Sequence, residues 1–183
     1  MTALQTERPD SSIDTVLVSS LREGWERSER IIREMFDASV SFGEPAARVV
    51  DTLEVHAGSM AVAMEFSGPR SGLGLLAVSR ATASGLVASM LGCTETDDAV
   101  LPMLAPAVLE LGNVVLNAII GDVGERLSEQ YRFEVPTSLA PSLLRSHEAR
   151  ADMSGLLNGR IAIGGQPPAE LVVAVVLHAD RVR

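Results

Sequence analysis

One apolar stretch, LELGNVVLNAIIG at 109–121, carries a carboxylate and two amides at Glu110, Asn113 and Asn117. Their spacing of three and four residues places them on one face of an α-helix. A carboxylate can pair with a cation, and a neutral amide can both donate hydrogen bonds to a water molecule and accept one from it. Two interpretations follow from the spacing. These residues form a site, or they are the solvated side of an amphipathic helix.

The surrounding pattern predicts a long helix from Leu101 to Gln130. Its apolar stripe consists of Val108, Leu111, Val115, Ile119, Val123 and Leu127, widened by Leu109, Leu116 and Ile120. The opposite face carries polar side chains first and small residues after them: Glu110, Asn113, Asn117, Gly121, Gly124 and Ser128. Glycine costs about 1 kcal/mol relative to alanine inside a helix, and asparagine is also unfavourable there. A sequence selected only for helix stability would use other residues on this face, which we call the seam.

Other residue types that could do chemistry have simpler interpretations. His56, His147 and His178 lie far apart, and single Cys93 has no partner for an internal disulfide. GLGLLA at 72–77 resembles a dinucleotide fingerprint, but the residues after its glycines predict a strand, not the required helix. TETDD at 94–98 predicts an acidic turn with a helix N-cap at Asp97 or Asp98. None of these segments predicts a metal or cofactor site.

Composition excludes several kinds of partner. Of the 183 residues, 46% are hydrophobic and 21% charged, which is typical of a globular protein. A net charge of −9 opposes binding to a phosphate backbone, so we expect neither nucleic acid nor an anionic membrane as partner. The polar start lacks a signal peptide, and no run approaches the roughly 18–20 apolar residues of a membrane span. We therefore expect a cytoplasmic protein.

The order of elements predicts an α+β fold. A first helix, capped by Ser11, Ser12 or Asp14, extends to about Ala38, and GEPAARVVDTLEV at 43–55 predicts a turn and then a strand. Two hairpins follow the same plan. Strands at 60–66 and 73–79 flank the turn SGPRSG at 67–72, and strands at 159–165 and 169–177 lie around the turn GGQPP at 164–168. A short helix ends at Gly92, and YRFEVPTSL at 131–139 predicts another strand. These elements indicate a two-layer sandwich of long helices packed on a mainly antiparallel sheet.

A helix followed by about three strands occurs twice along the chain. We therefore expect residues 1–12 to form a disordered tail and residues 13–183 to form one domain. Its pseudo-twofold helix–strand–hairpin halves cover about 13–93 and 97–180. The similarity between the halves is one of pattern and not of residue identity.

The seam motif resembles that of a known family. ELGN, followed after 22 residues by Pro136, is similar to the Glu-x-x-Asn…Pro signature of the CheC/CheX/FliY chemotaxis phosphatases. Upstream, GSMAVAMEFSGPRSGLGLLAVSRATASGLVASMLG resembles the strand, turn, strand and short helix that precede the motif helix in CheX. The resemblance covers about residues 55–145.

The resemblance implies an activity on a response regulator. Family members remove the phosphoryl group from the aspartyl phosphate of a receiver, typically CheY. By position, Glu110 would dock to the active-site lysine of the receiver, and Asn113 would orient the attacking water. No intrinsic cofactor is then needed, because the receiver supplies Mg²⁺. The resemblance to CheX also suggests a homodimer whose sheets join edge to edge.

Two departures keep an alternative open. Pro106 stands where the family usually has Asp or Ser, so the helix begins near Pro106 or is kinked at Pro102–Pro106. Either case would place Glu110 close to the helix start. If Pro45 corresponds to Pro136, the first half has Ser19 and Arg22 in place of the motif Glu and Asn, so no second site is expected. The alternative function is a non-catalytic receiver-binding adaptor or scaffold of the same fold.

Overall fold

The helices of this protein pack on one face of an antiparallel sheet. A computed structural model describes residues 11–36, 40–50, 58–139, 153–163 and 169–178. Within these ranges the chain forms three helices, α1 (Ser11–Phe36), α2 (Arg80–Leu91) and α3 (Val100–Leu127). The strands are β1 (Val40–Val50), β2 (Ser59–Ser67), β3 (Ser71–Ser79), β4 (Arg132–Phe133), β5 (Thr137–Ser138), β6 (Met153–Ile163) and β7 (Ala169–His178). The predicted α+β fold class is confirmed.

The order of strands in the sheet has the pseudo-twofold symmetry that the sequence predicts. The order is β1-β6-β7-β3-β2-β4, and β5 also pairs with β2. The hairpins β2–β3 and β6–β7 lie side by side through the antiparallel β3–β7 pair. β1 of the first half pairs with β6 in the hairpin of the second half. In turn, β4 and β5 of the second half pair with β2 in the hairpin of the first half. The halves are therefore interlocked, and neither one contains a complete sheet.

Each outer strand is interrupted by a bulge that contains a proline. In β1 the register shifts between Gly43 and Ala46, around Pro45. On the opposite edge, the residues between β4 and β5, 134–136, lie opposite only two residues of β2, 64–65. Proline has no N–H for a sheet ladder and is tolerated at edges and bulges. Pro45 and Pro136 thus occupy equivalent places in the two halves of the fold, as their proposed correspondence requires.

The helices bury their apolar stripes on one sheet face. Trp25 of α1 and Leu111 of α3 are fully buried. Two glycines allow close contact: a Cβ on Gly24 would lie 2.6 Å from the Ile119 Cα atom, and one on Gly112 would lie 2.7 Å from Val62 Cγ1. Real Cβ atoms essentially never come within 3.0 Å of a neighbour. Glycine at these two positions therefore lets α1 pack on α3, and α3 on β2.

The opposite sheet face carries a second buried apolar cluster. Its members are Ala61, Ala63, Leu73, Leu75, Ala77, Leu156, Ala174 and Val176. Side chains alternate between the two faces of a strand, so near-continuous apolar runs are typical of strands buried on both sides. This explains why LGLLAVS and ELVVAVVL contain hardly any polar residues.

Several local predictions are confirmed and others are wrong. α2 ends at Gly92, whose φ of 64° is left-handed, and it begins where Ser79 Oγ accepts a hydrogen bond from the Thr82 N–H. The predicted turn at 43–45 is wrong, because these residues continue β1 through its bulge. The predicted strand at 131–139 is two short strands separated by the Pro136 bulge. β6 begins at Met153, six residues before the predicted strand, and the predicted turn at 164–168 lies outside the described residues.

The predicted helix caps are also partly wrong. Described residues begin at Ser11, which is already helical, so Ser12 and Asp14 lie inside α1. The N-cap of α3 is Ala99, which makes no side-chain cap hydrogen bond. Asp97 Oδ1 instead accepts from the Ala99 N–H at 3.0 Å. The acidic turn thus stabilises the chain just before α3 rather than capping the helix itself.

α3 has the length and composition of a membrane span, which the sequence was expected to lack. An 18-residue window of the helix has a mean hydropathy of 1.8. Its Leu, Val and Ile residues outweigh one Glu and two Asn in that average. The same side chains form the centre of the core, with Leu116 and Ile120 fully buried. Packing against α1 and the sheet therefore accounts for the hydropathy of α3.

Candidate functional site

The site helix begins well before the motif. α3 starts at Val100 and continues past Pro106, so Glu110 is its eleventh residue. A helix start near Pro106 is therefore wrong, and so is the expectation that Glu110 lies close to the start. The alternative, a kink at Pro102–Pro106, stays a prediction. Pro106 removes a backbone hydrogen bond to the carbonyl of Pro102 and is costly inside a helix. Burial of Val100 and Leu104, at 2% and 4% exposure, holds the first turns against the core despite this.

The seam is present, but it is shorter than predicted. Glu110 is exposed, whereas Asn113, Asn117 and Gly121 are half-buried. A Cβ on Gly121 would meet nothing within 4 Å, so this stretch of helix surface is open. Gly124, by contrast, is buried under the residues that follow α3. The seam therefore extends from Glu110 to Gly121.

The two seam amides are joined by hydrogen bonds. Asn117 Nδ2 donates to the main-chain oxygen of Asn113 and to Asn113 Oδ1, both at 2.8 Å. The sequence predicts only that Asn117 lies on the surface or behind Asn113. Its direct contact with the candidate site residue was missed, although the i, i+4 spacing was a usable signal.

Glu110 is the only charged residue between Val100 and Gly121. Within the described part of the chain it has no ion-pair partner. The nearest charged residue in α3, Asp122, is buried in a separate network. The carboxylate of Glu110 is therefore available to a cation on another molecule.

A buried carboxylate fixes α3 against α1. Asp122 is 2% exposed; it forms an ion pair with Arg27 of α1 and accepts a hydrogen bond from Arg126 Nε at 2.6 Å. Arg126 also pairs with Glu23 of α1. Buried charges require such partners. The network sets how α1 and α3 pack, and it is distinct from the seam.

Residues after α3 hold its C-terminal end. Ser128 adopts a left-handed conformation with φ of 55°. Tyr131 then packs edge-on against Phe66, with ring centroids 5.0 Å apart, and its hydroxyl donates to Glu129. Burial, together with this hydrogen bond, raises the pKa of Tyr131. The phenol is therefore neutral at physiological pH and acts as a structural group.

The N-terminal end of α3 is apolar and accessible. Leu101 is 63% exposed and Met103 40%, and Pro102 and Pro106 are exposed beside them. Pro102, Pro106, Glu110 and Asn113 follow at spacings of four, four and three residues, so this apolar end continues the seam along the same face. Contiguous exposed apolar surface is typical of protein interaction sites.

The described residues contain no group of three or more His, Cys, Asp or Glu that could hold a metal ion. Pro136, the third element of the motif, lies between β4 and β5 at the sheet edge, and β5 contacts α3. The structure thus places Glu110 and Asn113 on neighbouring turns of one accessible surface, and Pro136 on an adjacent element.

The fold defines a class of pseudo-twofold α+β domains that includes solved structures of FliY, CheX and FliM. Thermotoga maritima FliY superposes with a TM-score of 0.66 at 12% identity, over 93% of this chain and 92% of that one. A chain from the CheX–CheY–BeF3–Mg²⁺ complex of Borrelia burgdorferi gives 0.59 at 11% identity, over 88% and 99%. The FliM middle domain from H. pylori gives 0.56 at 11% identity, over 92% and 93%.

The family follows from the sequence. Residues 60–162 match the family model described as chemotaxis phosphatase CheX. No curated protein matches the chain. The protein belongs to the CheX family, and the resemblance seen in the motif and the strands before it is confirmed.

Proposed function

We propose that this protein hydrolyses the aspartyl phosphate of a CheY-like receiver domain, with Asn113 positioning water and Glu110 docking to the receiver lysine. The observation that carries the proposal is the seam itself. A carboxylate without an ion-pair partner among the described residues and a neutral amide lie one turn apart on an accessible helix face, which has no other charge between Val100 and Gly121. Membership of the CheX family and the CheX–CheY complex of B. burgdorferi support it.

The proposed chemistry asks little of the protein. An acyl phosphate is already reactive, so a positioned water can attack phosphorus directly. The bond between phosphorus and the aspartyl oxygen breaks, the carboxylate of the receiver leaves, and inorganic phosphate carries the added oxygen. Positioning and charge stabilisation dominate catalysis of such transfers. A hundredfold acceleration requires only about 2.7 kcal/mol of transition-state stabilisation.

Residue types on the seam fit these tasks. The Asn113 amide can accept a hydrogen bond from the water while donating another to a phosphoryl oxygen. A carboxylate at that position would repel the phosphoryl oxygens. One turn away, the Glu110 carboxylate is suited to a lysine ammonium. The Mg²⁺ that balances the phosphoryl charge belongs to the receiver in this scheme.

A non-catalytic adaptor is the second candidate. The exposed apolar end of α3, with Leu101, Met103 and Pro106, favours a surface that holds a partner. A receiver bound there need not be dephosphorylated. FliM and FliY domains share the fold, so the fold does not choose between the two candidates.

One experiment separates the candidates. Phosphorylated receivers from the same genome are mixed with the protein, and decay of the phosphoryl group is followed. Binding of each BeF3-activated receiver is measured in parallel. The phosphatase predicts faster decay for at least one receiver that binds. Binding without faster decay for any receiver contradicts it and supports the adaptor, and no binding at all contradicts both.

The assembly and location of the protein are parts of the same proposal. We expect a cytoplasmic homodimer with sheets joined edge to edge. Among the described residues β1 pairs only with β6, so its other edge is available, although the bulge at Pro45 interrupts it. Light scattering should give about twice the 19.4 kDa chain mass. A concentration-independent monomer would contradict the dimer and leave the site proposal unchanged.

A further inference from the structure

The orientation of the Asn113 side chain is determined by Asn117. The Asn117 nitrogen Nδ2 lies 2.8 Å from the main-chain oxygen of Asn113 and 2.8 Å from Asn113 Oδ1. Both acceptors lie on the preceding turn of α3. Both side chains are half-buried, so these hydrogen bonds are partly shielded from water.

The two contacts fix which atom of each amide points where. A main-chain carbonyl can only accept, so the Asn117 atom facing it must be the NH₂ group. The same nitrogen faces the side chain of Asn113, and two NH₂ groups would not hydrogen-bond there. Asn113 must therefore present Oδ1 to Asn117, and its own Nδ2 points the other way. This assignment follows from hydrogen-bond chemistry and not from the similar shapes of the two ends of an amide.

We propose that Asn117 is a positioning residue for the hydrolysis proposed above, on which this inference rests. It holds the Asn113 amide in one orientation before the receiver arrives. Asn113 then offers two N–H donors away from Asn117 and retains a second lone pair on Oδ1. An N–H group can donate a hydrogen bond to a phosphoryl oxygen, and the lone pair on Oδ1 can accept a hydrogen bond from the attacking water.

Without Asn117, the amide of Asn113 could rotate and flip by 180°. Ordering one polar side chain on binding costs a factor of about three to ten in the population of the reactive geometry. We therefore expect Asn117→Ala to lower kcat by about three- to tenfold. Affinity for the receiver should be unchanged, because Asn117 lies about two helical turns from the docking residue Glu110, on the far side of Asn113.

The competing explanation is that Asn117 only satisfies its own polar group by bonding back to the preceding turn, as Ser, Thr and Asn do in helices. That structural role predicts a change in the free energy of unfolding and no change in kcat for the folded protein. It also predicts that the mobility of the Asn113 side chain does not depend on Asn117.

The isosteric variant Asn117→Asp gives the sharper test, since it keeps the shape and removes both donors. Asn158→Asp, on an exposed position of β6, is its matched control because it makes the same change in charge. We expect kcat to fall for Asn117→Asp and to stay within about twofold of wild type for the control.

A second measurement does not depend on activity. The chain has only three asparagines, 113, 117 and 158, so their side-chain amide signals can be assigned by NMR with single substitutions. In the wild type we expect the Asn113 NH₂ group to be rigid on the ps–ns timescale and Asn158 to be mobile. In Asn117→Ala, Asn113 should become as mobile as Asn158.

The outcomes are distinguishable. If the Asn113 amide is mobile in the wild type, or if kcat of an active protein is unchanged by both Asn117 variants, the positioning role is overturned. A loss of receiver affinity equal to the loss of kcat/KM overturns it too, because Asn117 would then act in docking. If the amide is rigid but the wild type accelerates no receiver, the proposed function itself fails, and the positioning role falls with it.

Discussion

The two long helices occupy equivalent places in the halves of the fold, yet their accessible faces differ. The face of α1 carries a dense mixture of charges: Arg22, Glu23, Glu26, Arg27 and Arg30. The corresponding face of α3 carries a single charge, at Glu110, followed by two amides and an open glycine. Position in the fold therefore does not explain the composition of the seam.

The difference indicates which of the two helix faces contacts another molecule. Mixed charges on α1 are exposed to solvent, and two of these residues, Glu23 and Arg27, form ion pairs with residues of α3. Asparagine and glycine on α3 lower helix stability without improving packing at Gly121. The face of α1 is thus sufficiently explained by solubility and by ion pairs, whereas that of α3 is better explained by contact with another molecule.

The largest effect on stability is expected where the two helices meet. Removing the buried carboxylate with Asp122→Ala leaves Arg27 and Arg126 without their shared partner. Breaking a buried pair costs about 3–5 kcal/mol, and since both arginines are about one-third to two-fifths exposed we expect about 3 kcal/mol. Chemical denaturation measures this loss in the free energy of unfolding.

The control for this prediction is Glu125→Ala. That carboxylate also pairs with Arg27, at 3.6 Å, but it is 73% exposed. Exposed pairs contribute about 0–1 kcal/mol. Equal losses for the two variants would contradict a special role for the buried carboxylate in holding α1 on α3.

Two glycines should respond to alanine in opposite directions. At Gly24 of α1 the added Cβ would collide with the backbone of Ile119, so Gly24→Ala should destabilise by about 2 kcal/mol. Gly121→Ala on the seam meets open space and should stabilise by up to about 1 kcal/mol through helix propensity. Thermal unfolding of both variants checks the pair, and destabilisation by Gly121→Ala would show that the seam is not open.

A smaller effect is expected for receiver binding. Glu110→Gln keeps the shape of the side chain and removes its charge, so affinity for a BeF3-activated receiver should fall about tenfold, or 1.4 kcal/mol. Glu26→Gln makes the same change on the exposed face of α1 and should alter affinity by less than about twofold. Calorimetry measures both. Equal losses would indicate nonspecific charge attraction rather than docking through α3.

Much of the architecture could be predicted because local signals agreed with the fold. Apolar periodicity located the helices, and the Gly/Pro turns between apolar runs located the β2–β3 hairpin. The bulged edges were mispredicted in two ways. The segment around Pro45 was predicted as a turn, although pairing with β6 carries the strand past it, and 131–139 was predicted as one strand, although its pairing with β2 is interrupted at the bulge that contains Pro136. Such long-range pairing has no signal in a short window.

Part of the site could also be predicted, because a local signal, the helical spacing, places its residues together. Helical spacing places Glu110, Asn113 and Asn117 together whatever the surroundings. It could not show that Pro106 lies inside α3, since this depends on the burial of Val100 and Leu104 in the core. Nor could it show that Tyr131 and Glu129 cover Gly124 and shorten the seam. Both facts depend on tertiary packing.

The most direct test of the account compares the two helices at equivalent positions. Decay of a phosphorylated receiver is measured with wild type, with Asn113→Ala in α3 and with Arg22→Ala in α1. We expect wild type and Arg22→Ala to accelerate decay equally and Asn113→Ala to lose about a hundredfold, with nearly unchanged stability. Full activity in Asn113→Ala, or a loss explained by unfolding, would contradict the assignment of the seam as the catalytic surface.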